Sequence, residues 1–283
     1  MVRIVVTGAN GRIGRATCAR LRAAGHQVTG FDASGPPGPH HVQVDVADYG
    51  QVLDALFGVG DRHDGTDAIV HLASRSAIGL APDVTVLQEN LRIATNVMHG
   101  ARRGGITTVV FASSLAVLGF PFLEPPPYLP LDDECPKRPN NAYALAKHLE
   151  EETAAELARW SPGSRLVGLR FTNVLEPSAY AGFAAHEREP ATRRAVLWGY
   201  LDVRDAAAAI ECALLRAPAG AHNYLIAQRE TTMRRTSAEL VAEFFPHVPL
   251  RGELHNHDAL TSIARAEREL GFDPRHSWRS GEG

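Results

Sequence analysis

The chain has 283 residues, long enough for one large α/β domain, or a domain with a smaller partner, and for a full buried core. Its composition is ordinary for a globular protein, 45% hydrophobic and 22% charged with a net charge of −3, which leaves no basic excess for a dedicated nucleic-acid binder. Apolar runs are short and broken by charge or glycine, so none qualifies as a membrane span, and the chain opens directly onto a strand pattern with no leader in front of it.

Residues 2–7 are a β-branched run followed by a glycine-rich turn, and 13–24 carry a helical pattern that closes near Gly25. Residues 27–31 and 42–44 read as strands, 51–56 as a helix, 68–72 as a strand and 85–102 as a long helix. Gly104-Gly105 turns the chain into a strand over 108–112. The proline-rich run 121–139 must be a loop, since proline serves neither a central strand nor a helix interior. A helix over 141–160, a strand over 166–171, a helix over 203–215, a strand over 222–226 and late helices over 236–245 and 262–270 complete the pattern. Strands alternating with helices of this length predict an α/β fold, a doubly wound parallel sheet with helices on both faces. Residues 174–197 and 229–283 break the rhythm. They are expected to form a small C-terminal substrate lobe over the carboxyl ends of the strands, leaving 1–173 plus 198–228 as the sheet domain.

Cys18, Cys135 and Cys212 lie far apart and suggest neither a disulfide framework nor a metal motif; a reducing, cytoplasmic setting is expected. His255-Asn256-His257 lacks the cysteine or acidic partners of a metal site, so no metal is expected.

Between the first strand and helix stands Thr7-Gly8-Ala9-Asn10-Gly11-Arg12-Ile13-Gly14. Glycines at such a turn let the backbone approach a pyrophosphate, and the helix N-terminus presents unpaired N–H groups to it; a plain tight turn would use the same glycines. Asp32, just past the second strand, adds a carboxylate that can accept from an adenosine ribose and repel a 2′-phosphate, which favours NAD over NADP. Arg12 could offset that preference. Tyr143-Ala144-Leu145-Ala146-Lys147 places a phenol and an ammonium four residues apart on one helix face. A free phenol, with a pKa of about 10, is a poor base near neutrality, and a neighbouring ammonium lowers it by stabilising the phenolate. Ser113 and Ser114 fall at the carboxyl end of a strand, where a hydroxyl can hold a substrate oxygen or cap nearby backbone.

Together these pieces resemble the extended branch of the short-chain dehydrogenase/reductase superfamily, the NAD-dependent epimerase/dehydratase family. The matching segments are TGANGRIG (7–14), Asp32, Asp45-Val46, His71-Leu72-Ala73, Asn90, SSLAVLG (113–119), YALAK (143–147), LRFTNV (169–174) and GYLDVRD (199–205), in family order over most of the chain. The resemblance implies a Rossmann-type fold and a cofactor site of Gly8, Asn10, Gly11, Arg12, Ile13, Gly14, Asp32, Asp45, Val46, Leu72, Ala73, Asn90, Tyr143 and Lys147. It also implies Ser114, Tyr143 and Lys147 as the catalytic set. Asp45 and Val46 would flank the adenine, Ala73 would line ribose and pyrophosphate, and Asn90 would support the nicotinamide end. Ser114, Asn173, Arg170 and Trp198 are the implied substrate contacts, and a homodimer through the helices carrying Asn90 and Tyr143 is expected.

Departures from the family pattern narrow the reaction. Sugar-nucleotide dehydratases carry an Asp-Glu pair where this chain has Leu115 and Ala116. Many sugar-nucleotide epimerases have a phosphate-pairing arginine where this chain has Trp198, and Leu118 replaces an aromatic. Arg188, Arg193 and Arg194 could supply the missing charge, but solvated surface arginines are the reading favoured for them. These departures and the short chain resemble uronate dehydrogenases and related short members, in which Arg170 would grip a carboxylate or hydroxyls, or else form a strand-end salt bridge. The expected activity is hydride transfer between NAD and a hydroxyl-bearing carbon of a sugar, sugar acid or related small polyol. The alternatives are a nucleotide-sugar epimerase that retains NAD, and a non-catalytic dinucleotide-sensing regulator.

Overall fold

The computed structural model describes residues 1–35, 38–58, 65–75 and 81–280. In chain order its elements are β1 (Arg3–Thr7), α1 (Arg12–Ala23), β2 (Gln27–Asp32), β3 (His41–Gln43), α2 (Tyr49–Leu56), β4 (Ala68–His71), α3 (Asp83–Arg103) and β5 (Thr108–Ser114). There follow α4 (Ala142–Trp160), β6 (Arg165–Phe171), β7 (Val174–Leu175), α5 (Phe183–Arg188), α6 (Ala191–Arg194), β8 (Leu201–Asp202), α7 (Val203–Arg216), β9 (Gly220–Ile226), α8 (Ser237–Phe244) and α9 (Ala264–Leu270). The main sheet runs β3-β2-β1-β4-β5-β6-β9, and every pair in it is parallel. The order reverses between β1 and β4, the switch point at which an open α/β sheet leaves a crevice at its carboxyl edge.

Strand alternation divides the core between the two faces. Ile4, Val6, Val70, Val110, Val167 and Leu169 point into one cluster with Cys18 and Leu21 of α1, Ile210 of α7 and Leu270 of α9. Val5, Ile69, Val109, Phe111 and Leu166 point into another with Val52 of α2, Val97 and Met98 of α3 and Leu157 of α4. Strands buried on both faces explain why these segments read as unbroken β-branched runs in the sequence.

A third cluster lies beyond the sheet and joins Leu115, Leu118, Leu129 and Leu131 to Trp198, Met233, Leu240, Phe245 and Leu260. The proline-rich run is thus a loop of ordered backbone. Leu129 and Leu131 form parallel bridges to Leu250 and Thr261, and both leucines are fully buried. Over residues 174–197 the sequence showed no periodicity because the pieces are too short to have one. A two-residue strand β7 pairs with β8, and turns and short helices fill the interval. Most boundaries move by one or two residues from those expected. The helix expected at 51 begins at Tyr49 because Asp48 caps it, accepting from Gln51 N at 3.1 Å. No helix among the described residues is long and apolar enough to cross a membrane.

Candidate active site

A cleft of about 640 Å3 opens at the carboxyl ends of β1, β4, β5 and β6. That volume suits one small-molecule ligand or cofactor assembly. Gly8, Gly11, Arg12, Ile13 and Gly14 line one side of it, with Leu72 and Ser74 beside them. Gly8 has φ +68°, and a Cβ there would stand 2.7 Å from Ala73 N; a Cβ on Gly14 would meet the Gly8 carbonyl oxygen at 2.1 Å. Only glycine permits this closeness of turn, neighbouring strand end and helix start. The helix behind the turn has Gly11 as its N-cap with no side-chain cap, so its first N–H groups face the cleft unclaimed by a side chain. The turn can therefore receive an anion on backbone donors.

Asp32 ends β2 beside that turn. Its carboxylate accepts from Asn10 N at 3.0 Å and from Ser34 N and Oγ, each at 3.1 Å, and it keeps acceptor capacity to spare. The Arg12 guanidinium is turned to another partner, donating through Nη1 to the Val174 carbonyl at 2.6 Å on β7. Val46 is buried and Asp45 is exposed, its Oδ1 accepting from Ala47 N at 2.9 Å; neither lines the cleft. Asn90 is buried on α3 and braces the loop after β4. It accepts from Ser74 Oγ at 3.1 Å and Arg75 N at 2.8 Å and donates to Arg75 O at 3.0 Å, so its amide is spent on backbone and loop.

The serine pair divides. Ser113 is buried and donates to Glu151 Oε1 at 2.6 Å. Ser114 borders the cleft and caps the 3-10 turn at 115–118, its Oγ accepting from Ala116 N at 3.1 Å, which leaves its own hydroxyl proton free to donate. Tyr143 and Lys147 border the same cleft from the first turns of α4, which starts where Asn141 accepts from Ala144 N at 2.9 Å. Ala144 and Ala146 are fully buried, which lets this helix lie close to its neighbours and fixes the face that Tyr143 and Lys147 share. Lys147 Nζ lies 5.9 Å from the Tyr143 ring centroid and 2.8 Å from Glu150 Oε2. Burial works against the Lys147 charge, but Glu150, Tyr143 and Glu151 together outweigh it, and the ammonium is held more firmly than in water. His71, at the end of β4, is fully buried, and burial with the nearby Lys147 charge takes its imidazole down to about 3.

Three expected roles change in the structure. Arg170 faces the protein interior, where Nε and Nη2 make a bidentate pair with Glu151 at 2.9 Å each; no donor is turned to the cleft. Trp198 is fully buried between Phe244 and Phe245 and donates from Nε1 to the Pro190 carbonyl at 2.8 Å, so it cannot touch a ligand. Arg193, by contrast, is not a solvated surface arginine: it lines the cleft. Burial disfavours its charge, and among the described residues only Nη2 is engaged, with the Gly199 carbonyl at 3.3 Å. Three polar atoms bordering the cleft are buried without a hydrogen-bond partner among the described residues: Arg193 Nε, Asn173 Nδ2 and Thr172 Oγ1. Buried donors of this kind are normally satisfied, so these three leave hydrogen-bonding capacity open at the cleft. Asn173 was expected there, whereas nothing in the pattern of the sequence distinguishes Thr172 or separates Arg193 from Arg194. Among the described residues no cluster of histidine, cysteine or acidic side chains could hold a metal ion.

A family model described as the NAD dependent epimerase/dehydratase family matches residues 4–227. A UDP-glucose 4-epimerase of Corynebacterium glutamicum is 24% identical over 98% of this chain and 92% of its own length. A uronate dehydrogenase of Pseudomonas syringae pv. tomato is 30% identical over 54% of this chain and 53% of its own, so the match spans about half of that relative. Among solved structures, a short-chain dehydrogenase/reductase superfamily protein from Agrobacterium tumefaciens with bound NAD superposes with a TM-score of 0.73. It is 24% identical, with 98% of this chain and 94% of that one covered.

Proposed function

The chain belongs to the NAD-dependent epimerase/dehydratase family, and from that premise we propose that it is a dehydrogenase passing a hydride between NAD and a hydroxyl-bearing carbon of a free sugar, sugar acid or small polyol. The close glycine turn and the uncapped start of α1 suit the dinucleotide's diphosphate, and the Asp32 carboxylate suits the hydroxyls of its ribose. When bound, NAD supplies the hydride acceptor. Ser114 then holds the substrate oxygen through its free hydroxyl proton, and Tyr143 takes the proton from that oxygen. Lys147 keeps a positive charge beside the phenol, which favours the phenolate. The homodimer expected from the family resemblance belongs to this proposal too.

One observation carries the substrate class: the unpartnered donors of Arg193, Asn173 and Thr172 border the cleft that Ser114 and Tyr143 share. Two neutral donors and one guanidinium suit a single carboxylate or a group of hydroxyls. A diphosphate needs more pairing than this. Arg12, the other guanidinium bordering the cleft, is turned through Nη1 to the Val174 carbonyl and keeps further donors, but Trp198 is sealed in the core and supplies no charge. Arg193 is also the observation that keeps the epimerase reading in play, since it can face a phosphate, and the Corynebacterium relative is a UDP-glucose 4-epimerase.

A screen of free aldoses, uronates and UDP- or dTDP-sugars with NAD and NADP, read at the NADH absorbance, separates the two. Net NADH from a free sugar or uronate supports the dehydrogenase; interconversion of a nucleotide sugar without net NADH overturns it. Calorimetric titration of the NAD-loaded protein with UDP and dTDP gives an independent answer, and micromolar binding of either favours the epimerase.

A further inference from the structure

Glu150 follows Lys147 by three residues on α4, and its two carboxylate oxygens lie 2.8 and 3.2 Å from Lys147 Nζ. Both side chains are 2% exposed. Hydride transfer as proposed makes no use of this acid. Burial pushes the Glu150 carboxyl up from its usual range, so placing a carboxylate here costs free energy that an apolar side chain would not. The next residue, Glu151, is committed elsewhere, to Arg170, Ser113 and Lys137. Glu150 is turned to Lys147.

The charges that face the Lys147 ammonium come from several elements. Tyr143, Glu150 and Glu151 are on its own helix, and His71 on β4 is neutral except in strong acid. From β6 and the proline-rich loop, Arg170 and Lys137 pair with Glu151 while Asp133 faces Arg170, which leaves Glu150 as the anion in contact with the ammonium.

We propose that Glu150 is a positioning residue for the acid–base pair: its carboxylate holds the Lys147 ammonium at the floor of the cleft and offsets part of its charge, which sets the pH range over which Tyr143 gives up its proton. The inference rests on reading Tyr143 and Lys147 as the catalytic pair. An ammonium has three donors. Both Glu150 oxygens lie within hydrogen-bond distance of Nζ, and Lys147 itself borders the cleft. Removing the anion leaves Tyr143 beside an unbalanced positive charge, and while Lys147 stays protonated the phenol proton leaves at lower pH.

The test is a pH titration of the cofactor-free protein, following the Tyr143 phenolate by its ultraviolet absorbance with the Tyr143→Phe signal subtracted. Glu150→Gln should lower the Tyr143 midpoint by about one unit. Glu150→Asp, which keeps a withdrawn carboxylate, should lower it by less, and it carries the test with the same sign if the glutamine variant does not fold. A midpoint that stays put or rises in the folded variant overturns the proposal, and so does a loss of thermal stability with no shift in the titration. Turnover of Tyr143→Phe is measured separately, so that failure of the catalytic reading is told apart from failure of this one.

Discussion

Tyr143 borders the cleft from the first turn of α4, and its phenol oxygen can be removed with the ring left in place. Tyr143→Phe should bind NAD nearly as wild type does, by calorimetry, and lose roughly 10²–10⁴-fold in turnover, the range for a missing general acid–base. Near-normal turnover would sink the assignment. Asp32 has a double task, since the carboxylate proposed for the ribose hydroxyls also accepts from Asn10 and Ser34. Asp32→Ala should therefore weaken NAD while improving NADP relative to it, as measured by kcat/KM for the two cofactors. A wild-type preference for NADP would contradict this reading, and Arg12 would not rescue it, because its guanidinium is drawn to the Val174 carbonyl.

At the scale of elements, the carboxyl end of β6 is joined to α4 by a buried charge network. Arg170 is 4% exposed and Glu151 is fully buried, with Ser113 of β5 donating to the same carboxylate. Breaking a buried pair strands the partner charge, so Arg170→Met should cost about 3–5 kcal/mol of stability in urea unfolding. The KM of the protein that remains folded should change little; a large rise in KM with stability intact would restore Arg170 to the substrate site. The turn from β1 to α1 has no slack either. Gly14→Ala forces a Cβ onto the Gly8 carbonyl, and the helix start must retreat from the strand. Overpacking of this sort costs roughly 1–3 kcal/mol. The turn that moves is the one proposed to hold the diphosphate, so NAD affinity should fall about tenfold or more by calorimetry, and unchanged affinity would move the diphosphate elsewhere.

For the molecule as a whole, the cleft exists because two cores sandwich the sheet and a third closes over its carboxyl edge. The buried polar groups between them make global stability depend on pH. The His71 imidazole is held at about 3 in the fold, well below the roughly 6.5 of an unfolded histidine. Between those values the unfolded chain binds a proton that the native chain does not, so stability rises with pH across the window and is lost on acidification. Asp133 acts with the opposite sign, since burial holds its carboxyl up at about 6 and acidification through that range favours the native state. A comparison that removes only the imidazole isolates its share. His71→Asn should show a shallower loss of unfolding free energy than wild type from pH 6.5 down to 3. Parallel curves would show that His71 is not held neutral by the fold.

The sequence alone determined the alternation of strands and helices, the glycine turn, and the shared helix face of Tyr143 and Lys147, while the choice of Ser114 over Ser113 came only with the family resemblance. The first three depend on local rules: periodicity, φ above zero, or side chains four residues apart on a helix. It could not determine which way a long polar side chain points. Arg12, Arg170 and Arg193 are chemically identical, yet one is turned to Val174, one is locked to Glu151 and one enters the cleft with a donor to spare. Trp198 followed the same rule, read as a ligand contact from its place in a motif and found in the third hydrophobic cluster. Those outcomes depend on what distant segments bring alongside: Val174 from β7, Glu151 from α4, and Phe244 with Phe245 from α8 and its end. Direction is a property of packing between segments far apart in the chain. The tertiary structure therefore decided which cation enters the cleft with a donor to spare, and the proposed substrate class rests on that placement.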